Sequence, residues 1–340
     1  MSAPGHANIA IFVPHLGCPN LCSFCNQHII SGAQDAPTPG RVQEICETSL
    51  AHLGERAKSS EIAFFGGSFT AIDRDYMIAL LEAAQPFLGE NGFGGIRVST
   101  RPDAVGEEML RLLQKYGVTT IELGAQSMDD AVLTLNHRGH TAQEIIDASR
   151  RIKRFGFRLG LQMMTGLYGQ SEESAVETAG QIIALGPDMV RIYPTVVLRG
   201  TLLAQLWEQG VYQPQTVEEA AKLGAELLEL FEQAEIPVIR LGLHASENVE
   251  EQMLCGGYHP ALRELCESER FLKRMRCLLR EERPGGGDMT IYANPRDLSK
   301  VLGQKRKNTA LLHAEGWNVT VRPSAGIPQG SISSHDAAVE

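Results

Sequence analysis

Seven short apolar runs, each followed by a stretch with helical periodicity, limit the folds open to this chain more than any other feature. Parallel strands need a long crossover between them, so this alternation predicts a parallel β-sheet with helices outside it. We therefore expect an α/β fold: a partial (β/α)6 TIM-like barrel over residues 8–245 with a small C-terminal α/β appendage. The predicted strands are Ile9–Pro14, Glu61–Phe65, Gly95–Thr100, Thr119–Leu123, Phe157–Met163, Met189–Tyr193 and Pro237–Leu241.

The stretches between these strands have the apolar spacing of amphipathic helices and begin at residues that cap helices, such as Asp73, Thr141 and Ser171. Each helix is long enough to bridge two parallel strands. The predicted helices are Arg41–Leu53, Asp73–Phe87, Glu107–Tyr116, Ala142–Phe155, Glu172–Leu185 and Val217–Ala234.

The alternation stops after Leu243, which indicates a change of architecture. Residues 246–283 are charged and predict a helical extension, and the R-P-G-G-G-D string that follows predicts a flexible joint. Residues 288–322 predict a small β-α-β unit. The tail, residues 323–340, is rich in Ser, Gly and Ala and predicts a disordered segment.

Composition and charge favour an ordinary globular protein of the cytoplasm. Hydrophobic residues make up 43% of the chain and charged residues 21%, which argues against disorder over most of its length. The net charge of −10 gives no overall attraction for nucleic acid, so such contact would need a local basic patch. No apolar run reaches the roughly 18 residues of a membrane span, and the first residues lack a signal pattern. Seven cysteines in a reducing compartment point to metal binding or catalysis before disulfides.

Cys18, Cys22 and Cys25 follow the first predicted strand with the spacing C-x3-C-x2-C, in the string G-C-P-N-L-C-S-F-C-N-Q. Parallel barrels build their sites on the loops at this end of the strands. A zinc site would need a fourth ligand, for which His15 and His28 are the neighbouring candidates. Three thiolates on a four-iron cluster would instead leave one iron open to a substrate or cofactor. Both metal sites, and a loop without metal, are open at this point.

Glycine and polar residues end the later strands. The string F-F-G-G-S-F-T ends the second strand, and S-T-R-P-D ends the third. The fourth ends in E-L-G-A-Q-S, with R-G-H-T after it, and the fifth in Q-M-M-T-G-L-Y-G-Q. Glycines let a ligand lie against the backbone, and polar groups at a barrel mouth can hydrogen-bond it.

Together these strings resemble the radical S-adenosylmethionine (SAM) superfamily, in the branch of the Elongator catalytic subunit and the oxygen-independent coproporphyrinogen III oxidases. The resemblance implies an enzyme with a 4Fe-4S cluster on Cys18, Cys22 and Cys25, whose unique iron binds SAM. An electron from a reducing partner such as flavodoxin or ferredoxin would pass through the cluster. SAM would then be cleaved to methionine and a 5′-deoxyadenosyl radical, which abstracts hydrogen from a substrate. The Elongator family acts on tRNA, so RNA is a candidate substrate.

The resemblance also implies a set of cofactor-binding positions, which are Phe24, Gly66, Gly67, Ser68, Gln126, Arg138 and Gln162. The glycine pair would meet the amino group of the methionine moiety, and Phe24 would place its backbone against the adenine. Gln126 and Gln162 would face the ribose or the methionine. Arg138 would pair with the carboxylate, which suits a guanidinium fork. The alternatives are that the glutamines cap strand ends and that the arginine is a solvated helix-end charge.

Several departures separate the chain from both families of this branch. Ser99 stands where both usually have a glutamate, and Phe12 where the porphyrin enzymes have a tyrosine, which argues against the porphyrin reaction. Haem-carrying relatives have an H-N-x-x-Y-W string that is absent here, so a haem carrier is the weaker alternative. The Elongator subunit has a longer gap between its first two cysteines and an acetyltransferase domain, for which the segment after residue 245 is too short.

Cys255, Cys266 and Cys277 recur every eleven residues and would share a helix face if one helix held all three. One interpretation is an auxiliary iron–sulfur cluster. The other is that they are small buried side chains, because eleven residues of helix span roughly 16 Å, too far for one cluster.

A basic cluster of Lys300, Lys305, Arg306 and Lys307 lies in the string V-L-G-Q-K-R-K-N-T near the end of this acidic chain. Such a cluster suits contact with a phosphate backbone. The string partly resembles the G-x-x-G loop of RNA-binding KH domains, with Arg306 at the second glycine. RNA contact through Lys305, Arg306 and Lys307 and a merely solvated helix face are both open. An RNA-binding protein with a structural metal loop is thus the rival of the enzyme.

Overall fold

The computed structural model describes residues 7–13, 16–18, 22–26, 29–30, 35–244 and 247–336. Pro14, His15, His28 and the last four residues of the predicted tail lie outside the described residues. The chain divides into two compact units, the first formed by residues 1–216 and 230–258 and the second by residues 217–229 and 259–340.

Seven strands of the first unit form one sheet, and every pair of neighbours in it is parallel. They are β1 Asn8–Val13, β2 Glu61–Gly66, β3 Gly95–Thr100, β4 Val118–Gln126, β5 Arg158–Thr165, β6 Met189–Pro194 and β8 Val238–Leu241. Their order in space, β1-β2-β3-β4-β5-β6-β8, follows their order in the chain. This is the predicted partial TIM-like barrel. Two further strands that the sequence did not predict, β7 Val196–Leu198 and β9 Met253–Gly256, pair with each other in antiparallel fashion.

The helices of the first unit follow the strands as predicted, and capping residues set where they begin. Asp73 accepts a hydrogen bond from the Tyr76 amide, and Thr141 forms a capping box with Glu144. The helices are α1 Pro39–Leu53, α2 Arg74–Ala84, α3 Glu107–Lys115, α4 Asp130–Leu135, α5 Ala142–Arg154, α6 Glu172–Leu185, α7 Leu202–Glu208, α8 Val217–Gln233 and α9 Glu247–Gln252. Residues 217–229 of α8 are assigned to the second unit.

The two faces of the seven-stranded sheet differ in polarity. Side chains alternate along each strand, so Ile96 and Val98 lie on one face of β3 while Arg97 lies on the other. Arg97, although buried, makes ion pairs with Glu61 on β2 and Glu122 on β4. The inner face of the partial barrel therefore carries charged groups that satisfy one another.

The second unit contains a small sheet and three helices of its own. β10 Gly287–Ala293 pairs in parallel with β11 Trp317–Pro323 and in antiparallel fashion with β12 Ile332–Ser333. The helices are α10 Leu262–Glu282, α11 Leu298–Leu302 and α12 Lys307–Ala314. Phe271 and Met275 of α10 pack with Ile291 of β10 in the core of this unit. β12 thus lies within the segment for which a disordered tail is predicted, and β9 within the predicted helical extension; the domain boundaries stay predictions.

Candidate active site

The carboxyl ends of β1 to β5 meet at one edge of the parallel sheet, and the residues singled out from the sequence follow these ends. The loop with the three cysteines, called here the cysteine loop (residues 14–28), follows β1. Gly67 and Ser68 come directly after β2, and Gln126 ends β4. Chain topology alone thus brings the cysteine loop to the same edge as the strand-end residues.

The glycine pair at the end of β2 lets the backbone of the cysteine loop pack against the strand. The Gly67 amide donates to the Val13 carbonyl at 2.9 Å, and the Ser68 amide to the Leu16 carbonyl at 3.0 Å. A Cβ on Gly66, whose φ is +114°, would lie 2.5 Å from the Val13 oxygen, and one on Gly67 would overlap the Leu16 oxygen. The sequence predicted free space for a ligand here. The structure gives the space at Gly66 to Val13 of β1 and the space at Gly67 to Leu16 of the cysteine loop, and ligand contact by the pair stays a prediction.

The three thiols lie near one another and are partly buried. Burial, and after it the nearby Cys22 and Cys18, raise the pKa of the Cys25 thiol to about 12. Burial and then Cys22 also raise the pKa of Cys18, against the positive charges of Arg101 and Arg138. Thiols crowded in this way carry a proton unless a metal centre binds them, so this donor set fits a metal cluster.

Among the residues that the structure describes, the three cysteines included, no three His, Cys, Asp or Glu side chains form a group that could hold a single metal ion. A 4Fe-4S cluster does not need three thiols at one ion, because each thiolate binds a different iron. His15 and His28, the candidates for a fourth zinc ligand, lie outside those residues.

Arg138 connects the cysteine loop to the barrel. Its Nη1 donates to Cys22 Sγ at 3.0 Å, and its Nη2 donates to the Gly124 carbonyl on β4 at 2.6 Å. The side chain is buried, so the alternative of a solvated helix-end charge is wrong. Its Nε is buried without a hydrogen-bond partner in the described part of the chain, which leaves one donor for a further group.

Gln126 points a free acceptor into the same region. A register shift between Gly124 and Gln126 interrupts the pairing of β4 with β5, and Gln126 takes a left-handed φ of 69°. Bulges of this kind re-aim a side chain, and strain of this kind concentrates at functional sites. Its Oε1 is buried with no hydrogen-bond partner among the described residues. A ligand hydroxyl or ammonium would satisfy that oxygen, so Gln126 fits the predicted cofactor site.

Gln162 belongs to a charged network on the inner face of the sheet. Its Nε2 donates to Glu122 Oε2 at 2.9 Å, and Arg191 Nε lies 2.7 Å from that same oxygen. Burial acts to raise the pKa of Glu122, but the charges of Arg191 and Arg97 outweigh it and hold the pKa below its usual range. Gln162 is therefore partly engaged already, and its contact with a cofactor stays a prediction.

Ser68 is tied to the end of β3 rather than left free. Its hydroxyl lies 2.9 Å from the Thr100 hydroxyl and accepts from the Arg101 amide at 3.1 Å. The Arg101 guanidinium makes two parallel hydrogen bonds to Asp103, at 2.9 and 3.0 Å. The T-R-P-D string thus supplies a second arginine near the thiols. Its positive charge, like that of Arg138, opposes the rise in the pKa of Cys18 that burial causes.

Two contacts fix the C-terminal half of the cysteine loop. The Phe24 side chain is buried in an apolar cluster with Met164 and Leu203, which leaves its backbone for the predicted adenine contact. The Ser23 hydroxyl donates to Asn136 Oδ1 at 2.7 Å, and Asn136 Nδ2 donates to the Tyr168 carbonyl at 2.9 Å. Sequence reasoning missed Asn136, although it lies two residues before the R-G-H-T string.

His140 is a further polar group that the sequence did not assign. Its Nε2 lies 3.4 Å from the Ala125 carbonyl, and its Nδ1 is buried without a partner among the described residues. Burial, and after it the charge of Arg138, lower the pKa of His140 to about 4. The imidazole is therefore neutral near pH 7.

The family model of the radical SAM superfamily matches residues 12–182, half of the chain, and that of the radical SAM C-terminal domain matches residues 187–274. The chain belongs to the radical SAM superfamily. As a member it is an enzyme, which answers the rival interpretation of a purely RNA-binding protein with a structural metal loop.

Among curated relatives, a tRNA uridine(34) acetyltransferase of Methanocaldococcus jannaschii is 30% identical over 263 residues, covering 64% of this radical SAM chain and 48% of the relative. Human Elongator complex protein 3 is 30% identical over 201 residues, covering 53% of the chain and 37% of that protein. The chain thus spans about half the length of the archaeal relative and a smaller share of the human one. Among solved structures, archaeal Elp3 of Methanocaldococcus infernus aligns with a TM-score of 0.62 at 23% identity, covering 81% of this chain and 65% of that one. This likeness shows the fold.

Cys255, Cys266 and Cys277 of this superfamily member do not share a helix face. Cys255 lies on β9, whereas Cys266 and Cys277 lie on α10. Cys266 is buried and Cys277 is exposed, so the two do not face a common site. The segment is not one helix: α9 ends at Gln252, β9 ends at Gly256 with a φ of +123°, and α10 begins only at Leu262. No described helix has the length and apolar character needed to cross a membrane.

Proposed function

We propose that this radical SAM enzyme binds a 4Fe-4S cluster through Cys18, Cys22 and Cys25 and binds SAM at the adjoining strand ends. Its substrate is a nucleoside in RNA, with tRNA as the substrate class. The observation that carries the proposal is Arg138, which contacts Cys22 and β4 together, beside a Gln126 oxygen that has no partner among the described residues.

The residues present fit these two cofactors. Three thiols would supply one ligand to each of three irons and would leave the fourth iron open to SAM. Gly124 keeps the space between Gln126 and Arg138 open, since a Cβ there would lie 2.9 Å from the Gln126 amide nitrogen and 3.3 Å from Arg138 Nη2. Arg138 Nε and Gln126 Oε1 offer one donor and one acceptor to the carboxylate and ribose of SAM. Gly66, Gly67, Ser68, Gln162 and the Phe24 backbone complete the proposed site.

When bound, the two cofactors supply reductive cleavage of SAM and, from it, abstraction of a hydrogen atom from the substrate. The chain contributes positioning and shielding. Phe24 and its apolar cluster exclude water from one side of the cysteine loop. Arg101 and Arg138 place two positive charges beside a thiolate-rich centre and so stabilise its negative charge. The reducing partner is a small electron carrier such as flavodoxin or ferredoxin.

The proposed substrate class comes from the relatives. Those matched by this chain are named for tRNA uridine(34) and for Elongator. The chain covers 48% of the length of the archaeal acetyltransferase and 37% of that of human Elongator complex protein 3. We therefore extend to it the tRNA substrate of these relatives and not the acetyl transfer. A cytoplasmic location, predicted from the sequence, is consistent with this substrate. The porphyrin reaction is less well supported, since Phe12 and Ser99 replace the tyrosine and the glutamate of those enzymes.

The cluster is tested by metal analysis after anaerobic purification, with Cys22→Ala as the variant and Cys277→Ala as the matched control. We expect four irons with sulfide in the wild type and in the control, whose thiol is exposed on α10 of the second unit. Addition of SAM and a reductant should form 5′-deoxyadenosine with both. Cys22→Ala should lose iron and this product. Zinc in place of iron, or an unchanged iron content in Cys22→Ala, would contradict the ligand assignment.

The substrate class is tested by incubating the loaded enzyme with total tRNA, SAM and reductant, followed by mass spectrometry of the digested nucleosides. We expect a new or altered nucleoside that depends on Cys22. Formation of 5′-deoxyadenosine without any change in tRNA, but with conversion of coproporphyrinogen III, would replace the RNA proposal by the porphyrin reaction.

A further inference from the structure

The second unit contains a loop that the radical chemistry does not use. This basic loop, defined as residues 303–307, joins α11 to α12 between the parallel strands β10 and β11. Both family models end at or before residue 274, so neither covers it.

The backbone of the basic loop is held in a conformation that glycine favours. Gly303 has a φ of 73°, and the next left-handed residues are Lys305, with φ 52° and ψ 30°, and Arg306, with φ 62° and ψ 29°. Two consecutive non-glycine residues in this region are strained, and such strain persists where the surrounding structure imposes it. Arg306 stands at the position of the second glycine of a G-x-x-G loop. It has a backbone conformation that glycine favours, and it adds a guanidinium.

Asn308 fixes the loop to its neighbours. Its buried Nδ2 lies 3.0 Å from Ser268 Oγ on α10 and 3.1 Å from the Val301 carbonyl on α11. A Cβ on Gly303 would lie 2.9 Å from the Asn308 side chain, so only glycine allows this close approach. These contacts attach the loop to α10 and α11.

The loop presents two positive charges without acidic partners. Lys307 lies 3.8 Å from Glu269, and Lys300 lies 3.3 Å from Asp297, so both are at least partly neutralised. Lys305 and Arg306 are exposed and make no ion pair within the part of the chain that the structure describes. In a chain of net charge −10, two unpaired cations held by a strained backbone favour a polyanion.

A cleft adjoins these two cations. It has a volume of about 370 Å³, within the range of sites that hold small organic groups. Leu265 and Leu302 give it apolar walls, and Ser268, Ser299 and Glu264 bring two hydroxyls and one carboxylate. Lys305 and Arg306 also line it, so the cations outnumber the carboxylate. Apolar walls with a few polar groups suit a nucleobase, which stacks through its faces and hydrogen-bonds through its edge.

We propose that the basic loop clamps the phosphate backbone of single-stranded RNA through Lys305 and Arg306, with an unstacked base in the adjoining cleft. The proposal rests on the proposed function, since it names how this enzyme would hold an RNA substrate. It commits to a single strand because a duplex keeps its bases stacked and cannot offer one to a cleft.

The test is fluorescence anisotropy of the full chain with a labelled unstructured oligoribonucleotide of about 12 nucleotides, titrated at several salt concentrations. We expect the double variant Lys305→Ala/Arg306→Ala to bind at least about tenfold more weakly than wild type. Its dependence of log affinity on log salt should be less steep by about 1.4, because each lost phosphate contact removes about 0.7. Lys305→Arg/Arg306→Lys keeps both charges and should retain the affinity and the slope.

The matched control is Arg296→Ala/Arg322→Ala, which removes two exposed charges from the same unit but none that line the cleft. Its affinity and salt slope should equal those of wild type. An equal loss in this control would show that net charge alone governs binding and would overturn the proposal. Equal competition by a duplex RNA or by anionic lipid vesicles would also overturn it.

Arg306→Gly separates the charge of the loop from its backbone strain. Glycine adopts the left-handed conformation freely, so this variant should unfold at a higher temperature while it binds RNA more weakly. An Arg306→Gly protein that binds RNA as tightly as wild type would refute the phosphate contact. Formation of 5′-deoxyadenosine, measured on the wild type without RNA, tests the radical chemistry separately. Its failure would refute the proposed function and leave the RNA-binding result standing.

Discussion

Removal of Glu122 is the perturbation that most sharply tests how the inner face of the barrel is stabilised. Its Oε1 accepts from Arg97 Nη1 and, at 3.0 Å, from Arg191 Nη2, while its Oε2 accepts from Gln162 Nε2 at 2.9 Å. The carboxylate is only 1% exposed. Glu122→Ala would leave the Arg191 side chain, which is only 14% exposed, without its carboxylate, whereas Arg97 would keep its pair with Glu61.

The expected loss follows from what remains buried. Removing one partner of a buried ion pair costs about 3–5 kcal/mol, because the other charge is left without compensation. Glu122→Gln keeps the shape and one acceptor oxygen, so we expect a smaller loss of about 1.5–3 kcal/mol. A loss of about 4 kcal/mol should lower the unfolding temperature by about 8–16 °C.

The same carboxylate predicts a pH dependence. Its pKa is lowered in the folded chain, because Arg191 and Arg97 outweigh the effect of burial. A lowered pKa contributes stability that is complete above the unfolded pKa of about 4.3 and is lost as the pH falls through the folded value. The difference in stability between wild type and Glu122→Gln should therefore shrink in acid, below about pH 4.

Urea unfolding of the anaerobic protein measures this loss, with Glu107→Ala as the matched control. Glu107 also pairs with two arginines, Arg111 and Arg154, but on the surface. Surface pairs contribute at most about 1 kcal/mol, so the control should stay within that limit. If Glu122→Ala cost no more than Glu107→Ala, the buried network would not stabilise the barrel and our reasoning would fail.

Three further predictions concern the site. Gly67→Ala should lower the iron content, because its methyl group would overlap the Leu16 carbonyl. The control Gly180→Ala has open space around it and should keep the iron content of wild type. Equal iron in the two variants would contradict the role of the glycine pair. Asn136→Ala should lower the free energy of unfolding in urea by about 1–3 kcal/mol, because it strands a buried hydroxyl and a carbonyl; an unchanged midpoint would refute this. Burial and then the charge of Arg138 lower the pKa of His140 to about 4 in the folded chain. The unfolded chain takes up a proton at this residue near pH 6.5, so the free energy of unfolding should fall as the pH is lowered from about 6.5 towards 4. His140→Gln should flatten thermal stability over that range, and an unaltered pH profile would exclude this imidazole as the source.

The barrel could be predicted because its strands and helices follow simple patterns. Strands buried on both faces read as short apolar runs, and the helices between them carry a polar stripe and a capping residue. β7 and β9 escaped prediction because they have three and four residues, too few for a periodic pattern. β9 also lies in a charged segment that reads as helix until Gly256 ends it.

The site could be predicted only where a residue type is unusual in itself. Three cysteines and a glycine pair stand out in any sequence, whereas Arg97, Glu122 and Arg191 look like the solvent-facing residues of an edge strand. Arg97 and Glu122 are buried and Arg191 is half-buried because the sheet curls, which brings β3, β4 and β6 around one interior. The strained backbone at Gln126 likewise depends on a register shift between β4 and β5, which cannot be predicted from the residues around Gln126 alone.

The cysteine loop meets the end of β2 through a main-chain hydrogen bond from the Ser68 amide to Leu16, directly after the Gly67 amide has bonded Val13 at the end of β1. Main-chain bonds of this kind do not depend on which side chains the loop carries. For enzyme engineering this separates two tasks. A Cβ on Gly17, whose φ is +72°, would overlap the Ser68 oxygen, so this glycine belongs to the attachment. Libraries that randomise loop positions other than Gly17, the three cysteines and the buried Ser23–Phe24 anchor can search for new substrates while the attachment of the loop stays constant.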